Sequence, residues 1–264
     1  MQEHKARRRF GQNFLVDNQI IQRILDSIAP QHDQHVVEIG PGLGALTEGL
    51  AEASGQLTLV ELDRDLFARL EQRFGTEQRV KLVQGDALKV DFYDIAASHS
   101  SQRLRLVGNL PYNISTPLMF HFFEHAAVVD DMTFMLQREV ALRLLAAPGS
   151  ANYGRLSVMT QFHCHGHLVV EAPPEAFNPA PKVHSAVVRL IPHTPPLEAP
   201  EAQRCFADIV RDAFSQRRKT LRNSLRRRLS AEHIEQAGIN PGERPEKLSV
   251  ESFVQLTQVA LQQG

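Results

Sequence analysis

A chain of 264 residues that is 42% hydrophobic and carries a formal net charge of only −1 is long enough for one α/β domain and a small second one, and too apolar to be disordered throughout. No apolar run reaches the length of a membrane span, and the basic start (Met1 to Arg9) lacks the apolar segment of a secretory signal, so a cytoplasmic location is expected. The two cysteines, Cys164 and Cys205, have no metal-like spacing, which speaks against a disulfide framework and a cysteine-bound metal.

Asp17 can cap a helix in which Ile20, Ile21, Ile24, Leu25 and Ile28 share one face, ending near Pro30. A strand at 35–39 runs into a glycine loop at 40–44 and a helix over roughly 45–53. After Gly55 comes a strand at 57–62. Asp63 or Arg64 then opens a helix carrying Leu66, Phe67, Leu70 and Phe74. A strand at 80–84, an irregular stretch containing Asp86 and a short apolar strand at 104–107 follow. Ser115-Thr116-Pro117 predicts a helix start with a hydroxyl cap and a first-turn proline. Strands are expected at 132–136, 156–163, 167–171 and 186–191, with a helix over 138–145. Pro192, Pro195, Pro196 and Pro200 form a connector, and the pattern is helical after it. This divides the chain into a domain of residues 1–194 and a second of 195–264.

Strands alternating with helices imply a mainly parallel, doubly wound sheet, in which ligands bind beyond the carboxyl ends of the strands. Glu61, Asp86 and Asn109 all fall at such ends, beside the glycine loop. Gly40, Gly42 and Ala45 satisfy G-x-G-x-x-A, and Glu61 stands where a ribose-binding acid belongs, so a nicotinamide dinucleotide competes here with other adenosine cofactors. Asp86 can accept a hydrogen bond from an adenine amine, which would let both ends of an adenosine be read. Asn109-Leu110-Pro111-Tyr112 joins an uncharged amide, a proline-fixed turn and a flat ring. It reads either as a clamp for the exocyclic amine of an unstacked nucleobase or as an ordinary strand-ending turn.

Taken together, these segments resemble the ribosomal RNA adenine N6-dimethyltransferases, in particular the bacterial small-subunit branch linked to kasugamycin resistance. The matching signatures are Phe10-Gly11-Gln12-Asn13-Phe14-Leu15, the run from Glu38 to Gly44, Glu61-Leu62-Asp63, Gly85-Asp86-Ala87, Asn109 to Tyr112, and Phe177-Asn178-Pro179-Ala180-Pro181-Lys182-Val183. Gln216-Arg217-Arg218-Lys219-Thr220 extends the match into the C-terminal part. The resemblance implies a Rossmann-like S-adenosylmethionine-dependent methyltransferase domain followed by a small helical rRNA-binding domain. It implies cofactor contacts from Asn13, Leu15, Gly40, Gly42, Glu61, Asp86, Ala87 and Asn109. It also implies that the clamp, Asn109, Leu110, Pro111 and Tyr112, works with Phe177, the two rings sandwiching an adenine; for Phe177, plain core packing is the competing reading. The implied substrate is a pair of adjacent adenosines in a stem-loop near the 3′ end of 16S rRNA, within a small-subunit precursor; the oligomeric state is left open, with a monomer as the default expectation. His184 stands where the family more often has Asp.

The net charge conceals an uneven distribution. Residues 1–13 hold four Lys or Arg against one acid, 195–264 hold eleven against nine, and 14–194 carry a net −6. Arg217, Arg218, Lys219, Arg222, Arg226, Arg227 and Arg228 fall in twelve residues without an acid. On one continuous helix Phe214, Leu221, Leu225 and Leu229 would share a face, with Lys219, Arg222, Arg226 and Arg227 opposite and Arg218 within the apolar arc or ahead of the helix. Phosphate contacts are expected there and from the arm containing Arg7, Arg8 and Arg9. His163, His165 and His167 would share one strand face, but no completing ligand is nearby and no metal is expected. His121 and His125, among Phe120, Phe122 and Phe123, read as packing at the core's edge. The competing functions are a large-subunit rRNA adenine methyltransferase, a non-catalytic RNA-binding assembly factor and an NAD-dependent dehydrogenase, the last lacking a residue suited to a hydride acceptor.

Overall fold

The computed structural model describes residues 12–98, 103–216 and 218–263. Its first half alternates short strands and helices: β1 (Phe14–Leu15), α1 (Asn18–Ile28), β2 (His35–Ile39), α2 (Thr47–Ala53), β3 (Gln56–Glu61), α3 (Arg64–Phe74) and β4 (Val80–Gln84). Then come α4 (Phe92–Ala97), β5 (Leu104–Asn109), α5 (Ser115–Glu124), β6 (Val129–Gln137), α6 (Arg138–Leu144), α7 (Arg155–His163), β7 (Cys164–Ala172), β8 (Phe177–Asn178) and β9 (Ser185–Pro192). The helices α8 (Pro200–Ala213), α9 (Leu221–Ser224), α10 (Ala231–Gln236) and α11 (Val250–Gln262) complete the chain.

Seven strands form one sheet in the order β4-β3-β2-β5-β6-β9-β7. β4, β3, β2, β5 and β6 pair in parallel, while β9 runs antiparallel to β6. All five residues of β2 are buried, as a strand covered on both faces requires. The order reverses at β2, whose successor in the chain lies on one side and β5 on the other, and that reversal opens a crevice above the strand ends. Helix starts follow the predicted chemistry: Asp17 accepts from the amides of Gln19 and Ile20 ahead of α1, and Asp63 accepts from Asp65 ahead of α3. On α1 the residues that disappear from solvent are Ile20, Ile24 and Ile28, one apolar stripe.

Charges are buried where the chain uses them to close backbone groups. Arg105 and Asp131, each 4% exposed, exchange two hydrogen bonds of 2.8 and 2.7 Å. A further Arg105 bond of 2.6 Å reaches the Ile28 carbonyl at the end of α1, and Arg189 joins Asp131 at 2.5 Å. Helical carbonyls otherwise left unpaired are thus met by a guanidinium.

Three expectations are corrected. Residues 156–163 form the helix α7, not a strand: Leu156, Ser157, Val158, Met159, Thr160 and Phe162 are all buried, so no polar face marks the helical period. Ser115 is the first residue of α5 and donates to the Tyr112 carbonyl at 3.1 Å; the cap position is Ile114. The chain also divides discontinuously, into residues 1–141 with 166–192 and residues 142–165 with 193–264, so the second unit takes in α7 as well as the residues after the proline connector. In that unit Phe162 stacks on Phe206 with centroids 3.9 Å apart, and Ile209, Val210, Phe253 and Leu256 are fully buried.

Candidate active site

A cavity of about 330 Å³ opens beyond the carboxyl ends of β2, β3, β4 and β5, within the first unit. Asn13, Leu15, Gly40, Gly42, Glu61, Asp86, Ala87, Asn109, Leu110, Pro111 and Tyr112 all line it, so the structure brings these expected residues together. They arrive from five separate stretches of chain.

The glycine loop lets backbone form one wall. Gly40 and Gly42 have φ of +65° and +61°, and a Cβ at Gly42 would stand 3.2 Å from the Phe14 ring, so residue 42 needs both the left-handed conformation and the missing side chain. The Gly42 amide donates to Glu61 Oε2 at 3.2 Å and the Asp63 amide to Oε1 at 2.8 Å. Burial raises the Glu61 pKa, and these two backbone donors oppose the rise by stabilising the anion. Each carboxylate oxygen keeps a further lone pair for a ligand hydroxyl. Asp86 caps a short 3₁₀ turn through the Leu88 amide at 3.0 Å, which fixes its carboxylate at the end of β4. Leu43 and Leu62, 45% and 47% exposed, add apolar surface to the same cavity.

Glu38 lies deeper. It is 2% exposed, lines the cavity and accepts from the Thr47 hydroxyl at 2.7 Å. Desolvation pushes its carboxyl up to about 7, the Thr47 bond opposing and the nearby Glu61 reinforcing the rise.

At the end of β5 the Asn109 side chain donates through Nδ2 to the Asn13 carbonyl at 3.0 Å. A carbonyl only accepts, so the nitrogen must face it, and Oδ1 becomes the acceptor offered by the amide. The Leu110 amide is held by the Met135 carbonyl at 3.1 Å, and the Ile114 amide closes the turn on Pro111 at 3.2 Å. Tyr112 is half-buried, and burial raises the pKa of its phenol, keeping it neutral. The phenol oxygen lies 2.5 Å from the Ser185 hydroxyl.

Phe177 is not among the residues that line this cavity. It is 4% exposed, stands opposite Leu15 in the β1–β8 pair and belongs to the apolar core. Several residues in or around the cavity lay outside the expected set. Gln12 donates to Asp63 at 3.1 Å, while Thr47 engages Glu38. Asp63 and Leu62 were visible only as a helix opener and as members of the signature around Glu61. Ser185, 73 positions from Tyr112, carried none.

The basic segment belongs to the second unit, and its expected continuous helix is corrected. α8 ends at Ala213 and α9 covers only Leu221–Ser224. The amides of Leu221 and Arg222 are taken by the carbonyls of Glu243 and Pro241, at 2.9 and 3.0 Å, where a preceding helical turn would have stood. Leu221, Leu225 and Leu229 are nevertheless buried, while Arg218, Lys219, Arg222, Arg226 and Arg227 are exposed. Arg228, also exposed, is paired with Asp212 and Asp208 of α8 at 2.5 and 2.9 Å. Arg7, Arg8, Arg9 and Arg217 lie outside the described residues.

The histidine motifs take structural positions. His163 ends α7 rather than sharing a strand face with His165 and His167, and burial lowers it to about 4. Burial likewise pushes the neighbouring Cys164 thiol up to about 12. His121 and His125 meet edge to face at 4.7 Å and pack on the Phe92 ring, with His121 Nε2 2.9 Å from the Val90 carbonyl. Among the described residues, no helix is long and apolar enough to cross a membrane.

Comparison with known proteins follows the same outline. The profile of the family described as ribosomal RNA adenine dimethylase matches residues 3–262. The chain is 52% identical over 254 residues to a Pseudomonas aeruginosa protein named ribosomal RNA small subunit methyltransferase A, covering 96% of this chain and 94% of that one. A Chromohalobacter salexigens protein of the same name is 53% identical over 255 residues, covering 96% and 90%. Among solved structures, a dimethyladenosine transferase from Plasmodium falciparum superposes with a TM-score of 0.78 at 24% identity, covering 92% of this chain and 95% of that one. The 23S rRNA methyltransferase ErmE superposes with a TM-score of 0.71 at 26% identity, covering 94% and 99%.

Proposed function

The chain belongs to the ribosomal RNA adenine dimethylase family, and from that premise we propose that its cavity binds S-adenosylmethionine and that its clamp methylates N6 of adenosines in small-subunit ribosomal RNA. The observation that carries the clamp is Asn109: its nitrogen is committed to Asn13, which leaves an uncharged oxygen as acceptor at the cavity.

The donor set fits the cofactor. Glu61 provides a carboxylate with lone pairs for two vicinal ribose hydroxyls, Asp86 an acceptor for the adenine amine, and Leu43 and Leu62 apolar faces for the adenine ring. The positive φ values of the glycine loop let its backbone approach a ligand closely. When bound, S-adenosylmethionine supplies an electrophilic methyl group on a cationic sulfur. What remains for the protein is alignment and electrostatic preorganisation, without a nucleophilic side chain.

The adenine N6 lone pair is delocalised into the ring, which makes the amine a poor nucleophile. Asn109 Oδ1 and the Leu110 carbonyl accept its two N–H bonds and favour the pyramidal geometry in which the lone pair points at the methyl group. Pro111 fixes the turn and adds no competing N–H. Tyr112 stacks on the extruded base, contributing about 1–3 kcal/mol against a flipping cost of a few kcal/mol. The bound cofactor would supply the methyl group and keep the electron pair of the bond it gives up, and no side chain of the clamp is needed as a base, since the excess proton on N6 can pass to water. After the first transfer one N–H remains, so one acceptor loses its partner. A neutral amide tolerates this at lower cost than a carboxylate.

The substrate in this reading is a stem-loop near the 3′ end of 16S rRNA, with two adjacent adenosines, in a precursor of the small subunit, acted on by a monomer as a step of ribosome assembly. The exposed cations of the second unit, Arg218, Lys219, Arg222, Arg226 and Arg227, contact its phosphates with little regard to base sequence. The test is incubation with labelled cofactor and unmethylated small subunits, followed by nucleoside analysis. N6,N6-dimethyladenosine is expected in the small-subunit RNA. Label only in naked large-subunit RNA, or none, overturns the reading. Asn109→Asp should slow the second transfer more than the first and accumulate monomethyladenosine; an undiminished second transfer refutes the role given to the neutral amide.

A further inference from the structure

We propose that Ser185 is a positioning residue for methyl transfer, holding the Tyr112 ring in the orientation that receives the adenine. The proposal rests on Tyr112 being the stacking face of the clamp.

Stacking needs a ring but no phenol, so a tyrosine hydroxyl in this place calls for its own explanation. Tyr112 is fixed at two points. Its backbone carbonyl accepts from the Ser115 hydroxyl at 3.1 Å, and its phenol oxygen lies 2.5 Å from Ser185 Oγ. A tyrosine has two side-chain torsions: anchoring the far tip fixes the first and with it the direction of the ring axis, while the second turns the ring about the line through the phenol oxygen and is biased by the preference of a phenol for hydrogen bonds in the plane of its ring. The anchor is itself rigid. Ser185 has no solvent exposure, opens β9 and stands opposite Gln137 in the β6 ladder. The residue before it gives its carbonyl to the Arg138 amide at 2.9 Å. The ring axis is therefore referenced to the sheet and not to the turn that carries it.

This matters most for the second transfer. A monomethylated amine keeps one N–H, so hydrogen bonding to the clamp is halved and stacking becomes the larger restraint on the base. A Tyr112 ring free to swing would hold adenosine adequately and N6-methyladenosine poorly. Removing either hydroxyl should therefore lower kcat for the second step more than for the first.

The experiment uses the full-length enzyme, unmethylated small subunits and four proteins: wild type, Ser185→Ala, Tyr112→Phe and the double variant. Mono- and dimethyladenosine are quantified over single turnovers, and cofactor affinity is measured by titration. The second transfer is expected to fall about tenfold in each single variant, with monomethyladenosine accumulating and cofactor affinity unchanged. The double variant should be no slower than either single one, because both remove the same bond. Losses that multiply in the double variant, or a wild-type ratio of products in Tyr112→Phe, overturn the proposal. Should Ser185→Ala fail to fold, Tyr112→Phe alone decides on the same product ratio. Tyr112→Ala separates the premise: if removing the ring leaves both transfers undiminished, Tyr112 is no stacking face and the clamp reading fails with it. If that variant is impaired while Tyr112→Phe is not, only the role of Ser185 falls.

Discussion

Replacing Glu38 by Gln tests the electrostatics of the cavity floor without touching its shape. The amide is nearly isosteric and keeps an oxygen to accept the 2.7 Å bond from Thr47. In the folded protein without cofactor, burial holds the Glu38 carboxyl at about 7, against an ordinary value of 4.5. Below 4.5 the group is protonated in both the folded and unfolded chain, and its neutral form rests in the cavity floor without penalty. Between 4.5 and 7 the unfolded chain ionises while the folded one does not, so stability is lost as pH rises; above 7 the loss levels off. The displacement corresponds to about 3 kcal/mol across that window. Gln has no proton to lose and should abolish this part of the pH dependence. Glu61, also raised by burial, is present in both proteins and largely cancels in the difference. Urea unfolding of the cofactor-free protein, followed by circular dichroism at about pH 4.5 and about pH 8.5, measures it. The wild type should lose most of about 3 kcal/mol more than Glu38→Gln between the two conditions. Parallel pH dependence in the two proteins would show that Glu38 is solvated as an anion, and the argument from burial would fall.

Two further outcomes follow from residues that do not line the cavity. Asp131→Ala leaves the buried Arg105 and the neighbouring Arg189 without a counter-charge and should cost about 3–5 kcal/mol in unfolding experiments; a loss within about 1 kcal/mol would mean that water replaces the carboxylate. Neutralising Lys219, Arg222, Arg226 and Arg227 to Gln should reduce the slope of log binding constant against log salt for the RNA by about one for each phosphate no longer neutralised, leaving cofactor affinity unchanged. An unaltered slope removes these side chains from the RNA-binding surface.

The alternating architecture was legible because Val36, Val37, Leu57 and Leu59 lie in short apolar runs closed by Gly, Asp or Asn, and a strand ending in such a residue advertises the crevice above it. Glu61, Asp86 and Asn109 could be placed together for that reason. What the spacing concealed has physical causes too. α7 is wrapped on most sides, so its sequence shows no stripe. The leucines at 221, 225 and 229 do share a buried side, yet the helix they suggest is broken by carbonyls from residues 241 and 243. Periodicity reports which side chains leave water; it does not report whether the backbone between them stays helical. Phe177 shows the same limit from the other direction. Its motif announces a ring beside a proline turn, while its burial is decided by a two-residue pairing with Leu15 that no local pattern encodes.

The bond from Asn109 to the Asn13 carbonyl gives residue 109 a chemical identity it could not otherwise have. One end of the side chain must donate and the other must accept, a polarity that aspartate, with two acceptors, cannot reproduce without placing oxygen against oxygen. In the proposed clamp asparagine is thus required twice, by the base it would hold and by a main-chain oxygen 96 positions away. An amide released from that carbonyl could turn end for end and offer a donor to an amine that needs an acceptor, silencing the clamp with every residue still in place. The segment leading into β1 therefore does more than wall the cavity: it sets which end of the Asn109 amide donates and which accepts.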